Sequence, residues 1–137
     1  MGDHMVVPEG KYAFRFDGFA MGNSILHRLV GVGFMTLKGK LVTGEHRSTL
    51  CQLEGQAPAL KYTAYELDGT YADAGDFGEA TISFMARSPA ALDMKGKFVF
   101  VPAGQDRYWL ISQYGELTGP RGVEATEVVS GEAVRLN

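Results

Sequence analysis

The stretch Lys11-Tyr12-Ala13-Phe14-Arg15-Phe16-Asp17, near the start of the 137-residue chain, decides the fold. Its even positions are aromatic, and its odd positions are small or charged. Because successive side chains of a β-strand point to opposite faces, this alternation predicts a half-buried strand whose aromatic side chains face inward.

Strand-like segments separated by glycine- and proline-containing turns continue along the rest of the chain, which holds 18 glycines. No long helical periodicity occurs, and only Ala90-Ala91-Leu92 could form a helical turn. Consecutive strands joined by short links favour antiparallel pairing. Besides the first strand, the pattern predicts seven strands, at 27–37, 41–53, 60–71, 79–87, 96–101, 107–114 and 125–136.

The predicted fold is therefore a single all-β domain, an antiparallel up-and-down barrel of roughly eight strands. The alternative is a two-sheet β-sandwich. Closure is favoured because a closed barrel leaves no exposed strand edge. Residues 1–5 are typical of a tag remnant, so the domain is expected to span residues 6–137.

The second strand combines large apolar residues with glycines. Val30, Val32 and Phe34 share one face, which we predict to point inward, and glycines occupy the other face. Arg28 lies on the same face as the large residues. It is therefore expected either at the barrel rim or inside, facing a ligand.

The third strand is unusually polar for a strand of a closed sheet. Glu45, Arg47 and Thr49 alternate with His46, Ser48 and Leu50, so one of the two sets must face the interior of a barrel. Arg47 would then be a polar anchor for a carboxylate or carbonyl group in a cavity. The alternative is that this strand carries a solvated face.

Composition excludes several functional classes. With a net charge of −3 and scattered basic residues, the chain lacks the basic stripe of a nucleic-acid-binding protein. No apolar run approaches the ~18 residues that a membrane-spanning helix requires. Cys51 is the only cysteine, and no metal or cofactor motif is present. No signal peptide is visible; we expect a cytoplasmic protein, or a secreted one if a leader was removed.

Two sets of residues resemble known families. Gly10-Lys11-Tyr12 and the late Arg135 are similar to the calycin pattern, in which an early Gly-x-Trp of lipocalins and fatty-acid-binding proteins packs near a late arginine; Tyr12 replaces the tryptophan. Leu67-Asp68-Gly69-Thr70-Tyr71, followed by Gly78-Glu79-Ala80-Thr81, resembles small bacterial barrels related in shape to allene oxide cyclase. The resemblance implies a calycin- or lipocalin-like barrel and assigns no catalytic residues.

We predict a barrel that binds a small hydrophobic or amphipathic molecule in a cavity of at least ~300 Å³. The first alternative is a cofactor-free isomerase or cyclase that uses the same cavity, with catalytic candidates Glu45, Arg47 and Tyr62. The second alternative is an interaction module with a filled barrel, and an oligomer is compatible with all three. The candidate ligand-binding residues are Phe14, Phe16, Arg28, Phe34, Arg47, Tyr62, Phe84 and Trp109.

Overall fold

A computed structural model of the protein describes residues 5–53, 60–73, 75–88 and 92–136. Within these ranges the chain forms eight strands that pair antiparallel in chain order, and β8 pairs with β1 to close the barrel. The predicted up-and-down barrel is confirmed, and the β-sandwich alternative is wrong. The strands are β1 Gly10–Gly22, β2 Ile25–Lys38, β3 Leu41–Gln52, β4 Leu60–Ala72, β5 Ala80–Arg87, β6 Asp93–Gly104, β7 Arg107–Gly119 and β8 Gly122–Arg135.

Several strands are longer than their sequence pattern predicts. β6 begins at Asp93 and not at residue 96, because Met94 already faces the core. The helical turn predicted at residues 90–92 falls largely on 89–91, which lie outside the described residues. Among the described residues, no helix is long and apolar enough to cross a membrane.

The inward faces of β1 and β5 agree with their sequence alternation. Tyr12 and Phe16 are buried, and Phe14 is half-buried on the same face. On β5, Ile82 and Phe84 point into the core, with alanines on either side of them. These strands alternate large apolar residues with small, polar or charged ones, and burying the apolar face is the favourable choice.

The prediction of which face of β2 points inward is wrong. Val30, Val32 and Phe34 are exposed on the outer surface, and the glycines between them face inward. A Cβ atom on Gly31 would lie 2.3 Å from Cζ of Phe16, and one on Gly33 would lie 2.7 Å from Cζ of Phe14. The aromatic rings of β1 therefore occupy the space that side chains of β2 would otherwise fill.

Residues 5–9 cover one end of the barrel. Val7 is fully buried there, and its backbone N–H donates to the hydroxyl of Tyr71 at 3.1 Å. Arg135, the register partner of Tyr12 on β8, donates from Nη2 to the carbonyl oxygen of Glu9 at 2.7 Å. Among the described residues, these contacts cover the end of the barrel at which β1 begins and β8 ends.

Candidate functional site

The polar strand β3 divides its side chains between the two surfaces of the barrel. Glu45 and Arg47 face outward and form an exposed ion pair, with 3.7 Å between Oε1 and Nη2. His46 and Ser48 face inward and are buried. Arg47 is therefore not an anchor inside the barrel, and the charged residues of β3 form a solvated face.

His46 is enclosed by aromatic rings at the centre of the barrel. Its side chain is 2% exposed, stacks on Tyr65 with ring centroids 4.8 Å apart, and meets Phe16 edge-on at 5.6 Å. Neither ring nitrogen has a hydrogen-bond partner among the described residues. Burial, with a smaller contribution from the charge of Arg47, lowers the pKa of His46 from 6.5 to about 4. The imidazole is therefore neutral near pH 7.

Glu127, on β8, is the second buried polar residue at the centre. It is 3% exposed, and its Oε2 has no hydrogen-bond partner within the described part of the chain. Burial raises the pKa of Glu127 from 4.5 to about 7. A carboxyl group kept in such surroundings is costly, and groups of this kind are concentrated at functional sites.

An irregularity in β7 makes room for Glu127. The register between β7 and β8 shifts between Ile111 and Glu116, and Gly115 faces inward in this segment. A Cβ atom on Gly115 would lie 2.5 Å from Cγ of Glu127. The same shift exposes Tyr114, which alternation predicts to share the inward face of Tyr108. Bulges are often found next to functional sites, where they redirect side chains.

His46 and Glu127 border the same central cavity, which has a volume of about 30 Å³. That space suffices for one or two water molecules. It is far smaller than the ~300 Å³ expected for a typical ligand pocket. The remaining lining is apolar and consists of Phe14, Phe16, Met35, Leu67, Ile82, Phe84, Met94, Phe98, Phe100 and Leu110.

A second cavity of about 40 Å³ lies towards the other end of the barrel, where β4 and β6 begin. Ser48 and Thr63, register partners on β3 and β4, line it, and the next inward pair along these strands is His46 and Tyr65. Met94 borders both cavities. The inner faces of β3 and β4 thus form a polar track that leads from this second cavity to the centre.

Tyr65 connects the polar side chains of β3 to the backbone at the start of β6. Its hydroxyl donates to the carbonyl oxygen of Leu92 at 3.1 Å, and its ring supports His46 from one side. Burial, followed by the nearby charge of Glu127, raises the pKa of Tyr65 to about 12. Tyr65 therefore remains a neutral hydrogen-bond donor at any physiological pH.

The structure separates the predicted ligand-binding residues into two groups. Phe14, Phe16 and Phe84 border the central cavity. The inward orientation predicted for Phe34 and Trp109 is wrong. For Arg28 and Arg47 the solvent-facing alternative holds, and whether any of the outer residues binds a ligand stays a prediction. The residues on the outer surface are Arg28, Phe34, Arg47, Tyr62 and Trp109.

Arg28 is held on this outer surface by its neighbours. Its Nη2 lies 3.6 Å from Oδ2 of Asp17, and its guanidinium lies over the ring of Phe19, 5.6 Å from the centroid. Both contacts are solvent-exposed and keep the side chain away from the interior.

Arg47, Tyr62 and Trp109 come together in a shallow outer groove of about 750 Å³. The groove crosses six neighbouring strands in the order β7-β8-β1-β2-β3-β4. Its residues form two cross-strand rows in register, namely Trp109-Glu132-Arg15-Val32-Arg47 and Ile111-Ser130-Asp17-Val30-Thr49-Tyr62. The catalytic candidates Glu45, Arg47 and Tyr62 are thus all on the outer surface, and their role stays a prediction.

No group of three or more His, Cys, Asp or Glu side chains in the described ranges is arranged to hold a metal ion. Cys51, a half-buried free thiol, lies on the outer-facing side of β3 beside Arg28, its register partner.

Sequence reasoning missed Glu127 and gave His46 no specific role. The signal for Glu127 is alternation, because it shares a face with Ala125, Val129 and Ala133 in β8. His46 could be recognised as inward-facing only once the charged set of β3 was known to face solvent.

No family model matches the chain, and comparisons with curated proteins and with solved structures returned no similar protein, so the calycin and allene-oxide-cyclase resemblances stay predictions.

Proposed function

We propose that the protein binds a small amphipathic molecule inside its barrel, with the polar group of that molecule between His46 and Glu127. The observation that carries the proposal is that both side chains are buried against one apolar cavity, and each has a polar atom without a partner in the described residues. An unsatisfied buried polar group costs about 1–3 kcal/mol. A ligand that hydrogen-bonds to these groups recovers that free energy.

The size of the two cavities limits the ligand. An apolar cavity of about 150 Å³ holds benzene, whereas the cavities here measure about 30 and 40 Å³. Met94 borders both of them, and methionine is flexible enough to change rotamer at small cost. Movement of Met94 would join the cavities along the track of Ser48, Thr63 and Tyr65. The two cavities together have about half the volume that benzene needs. The proposed ligand is therefore no larger than a single ring with one hydrogen-bonding group, and its binding requires Met94 and neighbouring apolar side chains to move.

Phenol is a suitable probe, because its ring fits apolar surroundings and its hydroxyl can donate to a ring nitrogen of His46. Titration followed by amide NMR should give saturable shifts in inward-facing residues of β3, β4 and β8, with a Kd of about 1 mM or below. His46→Phe keeps an aromatic ring but removes the nitrogens, and should weaken binding by about 5- to 10-fold.

The matched control is Tyr62→Phe, which removes a hydroxyl from the outer groove and should leave the Kd unchanged. Shifts restricted to outer-facing residues, or equal affinity of the wild type and His46→Phe, would contradict the proposal.

A cofactor-free isomerase is the second candidate, and the pKa of Glu127 supports it. A carboxyl group that titrates near 7 can both accept and donate a proton at neutral pH, and the neutral His46 beside the same cavity could stabilise developing charge. For a catalyst, Glu127→Gln should lower kcat strongly while leaving substrate affinity nearly unchanged. For a carrier, the same substitution affects affinity alone.

A further inference from the structure

We infer that the outer groove is the interface of a homodimer, in which a second copy of this chain packs against the strands from β7 to β4. The inference is independent of the proposed ligand site, because it uses only outward-facing side chains. Three features of this face support it: its apolar area, the order of its patches, and its balance of charge.

The exposed apolar side chains on this face supply much of the apolar area that a dimer interface needs. Trp109 and Tyr62, which line the groove, are 62% and 69% exposed. With about 200 Å² for each aromatic side chain, these fractions amount to about 260 Å². A standard interface removes about 800 Å² from each partner, slightly more than half of it apolar. Val32 and Ile111, each more than half exposed, supply most of the remainder.

The order of the patches across the sheet is self-complementary. Val30, Val32 and Phe34 form a β2 patch, and Trp109 and Ile111 form a β7 patch. Between them, on β1 and β8, lies a charged strip of Arg15, Asp17 and Glu132. A two-fold axis through the charged strip places the β2 patch of one copy against the β7 patch of the other, as an isologous interface requires.

Charge supports the same arrangement. Arg15 is highly exposed and lies 3.2 Å from Glu132, with Nε facing Oε1, and Asp17 pairs with Arg28. Both signs are thus present near the proposed axis, so Arg15 of one copy can face Asp17 or Glu132 of the other. Measured along the curved surface of the barrel, the six strands cover about 24 Å at about 4.8 Å per strand.

Sedimentation velocity of the full chain tests this inference. The wild type should form dimers with a Kd of roughly 10 µM or below. Ile111→Asp, in the β7 patch, should be monomeric, since it buries an unpaired charge at the interface. Val123→Asp is the matched control, because Val123 and Ile111 are 54% and 57% exposed but Val123 lies outside the groove. It should remain dimeric.

The fluorescence of Trp109, the only tryptophan of the chain, provides a second readout that requires no substitution. Dilution through the dimer Kd should shift its emission to longer wavelength as the indole becomes exposed to water. Three results would overturn the inference: a wild type that is monomeric at about 100 µM, well above the expected Kd; a dimer whose tryptophan emission does not respond to dilution; or equal effects of Ile111→Asp and Val123→Asp on the dimer.

Discussion

Replacing Glu127 with glutamine should raise the free energy of unfolding by about 3 kcal/mol at pH 8 and should change it little at pH 4. Burial raises the pKa of Glu127 from 4.5 to about 7 in the folded protein. The folded state therefore holds this proton more tightly than the unfolded state does. Wild-type stability falls as the pH rises from 4.5 through 7, and the loss is complete above 7.

Urea unfolding of the wild type and Glu127→Gln at several values between pH 4 and pH 8 measures this difference. Glutamine is uncharged throughout, so the gain should grow over the interval in which the wild type ionises. A difference between the two proteins that stays constant with pH would contradict the assignment of Glu127 to a dry interior.

His46→Gln provides a matched comparison with the opposite pH dependence. Because burial lowers the pKa of His46 from 6.5 to about 4, wild-type stability falls as the pH drops from 6.5 through 4. The variant should therefore gain stability relative to the wild type as the solution becomes more acidic. In the wild type, Glu127 lowers the free energy of unfolding as the pH rises, whereas His46 lowers it as the pH falls. The two contributions largely cancel, so a pH profile of the wild type alone does not reveal either group.

Replacing Gly131 with alanine should lower the free energy of unfolding by about 3 kcal/mol or more. A Cβ atom at this position would lie 1.9 Å from the carbonyl oxygen of Arg15 and 2.8 Å from Cα of Phe16. Both contacts are with the backbone of β1, so no side-chain rotation can relieve them. β1 and β8 would have to separate at the pair that closes the barrel beside Phe16.

Thermal unfolding measures this effect, and the unfolding temperature of Gly131→Ala should fall by about 10 °C. Ser130→Ala, at the adjacent outward-facing position, is the control and should change the temperature by a degree or two at most. If Gly131→Ala were as stable as Ser130→Ala, the conclusion that the β1 and β8 backbones approach closely at Gly131 would be contradicted.

The fold could be predicted from the sequence because most strands alternate without ambiguity. In β5, Ile82 and Phe84 alternate with Thr81 and Ser83, and only one orientation buries the apolar set. β2 is different, because its large residues alternate with glycines. Hydrophobicity alone predicts Val32 inside, whereas the ring of Phe16, on another strand, occupies the space above Gly31. That contact depends on how β1 and β2 are aligned with each other. The alternation of residues within a single strand carries no information about this alignment.

The candidate site was less predictable than the fold. Sequence patterns identified β3 as the strand that departs from a simple inward-apolar rule, and His46 lies on it. Glu127 gave no comparable signal, because a single glutamate in a strand is most often solvent-exposed. Its burial depends on the irregularity of β7 near Gly115, which no local pattern predicts.

The central claim is that burial inside the barrel shifts the pKa values of His46 and Glu127 in opposite directions, that of His46 down and that of Glu127 up. NMR titration of the His46 imidazole and the Glu127 carboxyl carbon tests it most directly. We expect His46 to remain neutral until the pH falls to about 4 and Glu127 to titrate near 7. Titration of His46 near 6.5 and of Glu127 near 4.5, the usual values for solvated groups, would contradict the account.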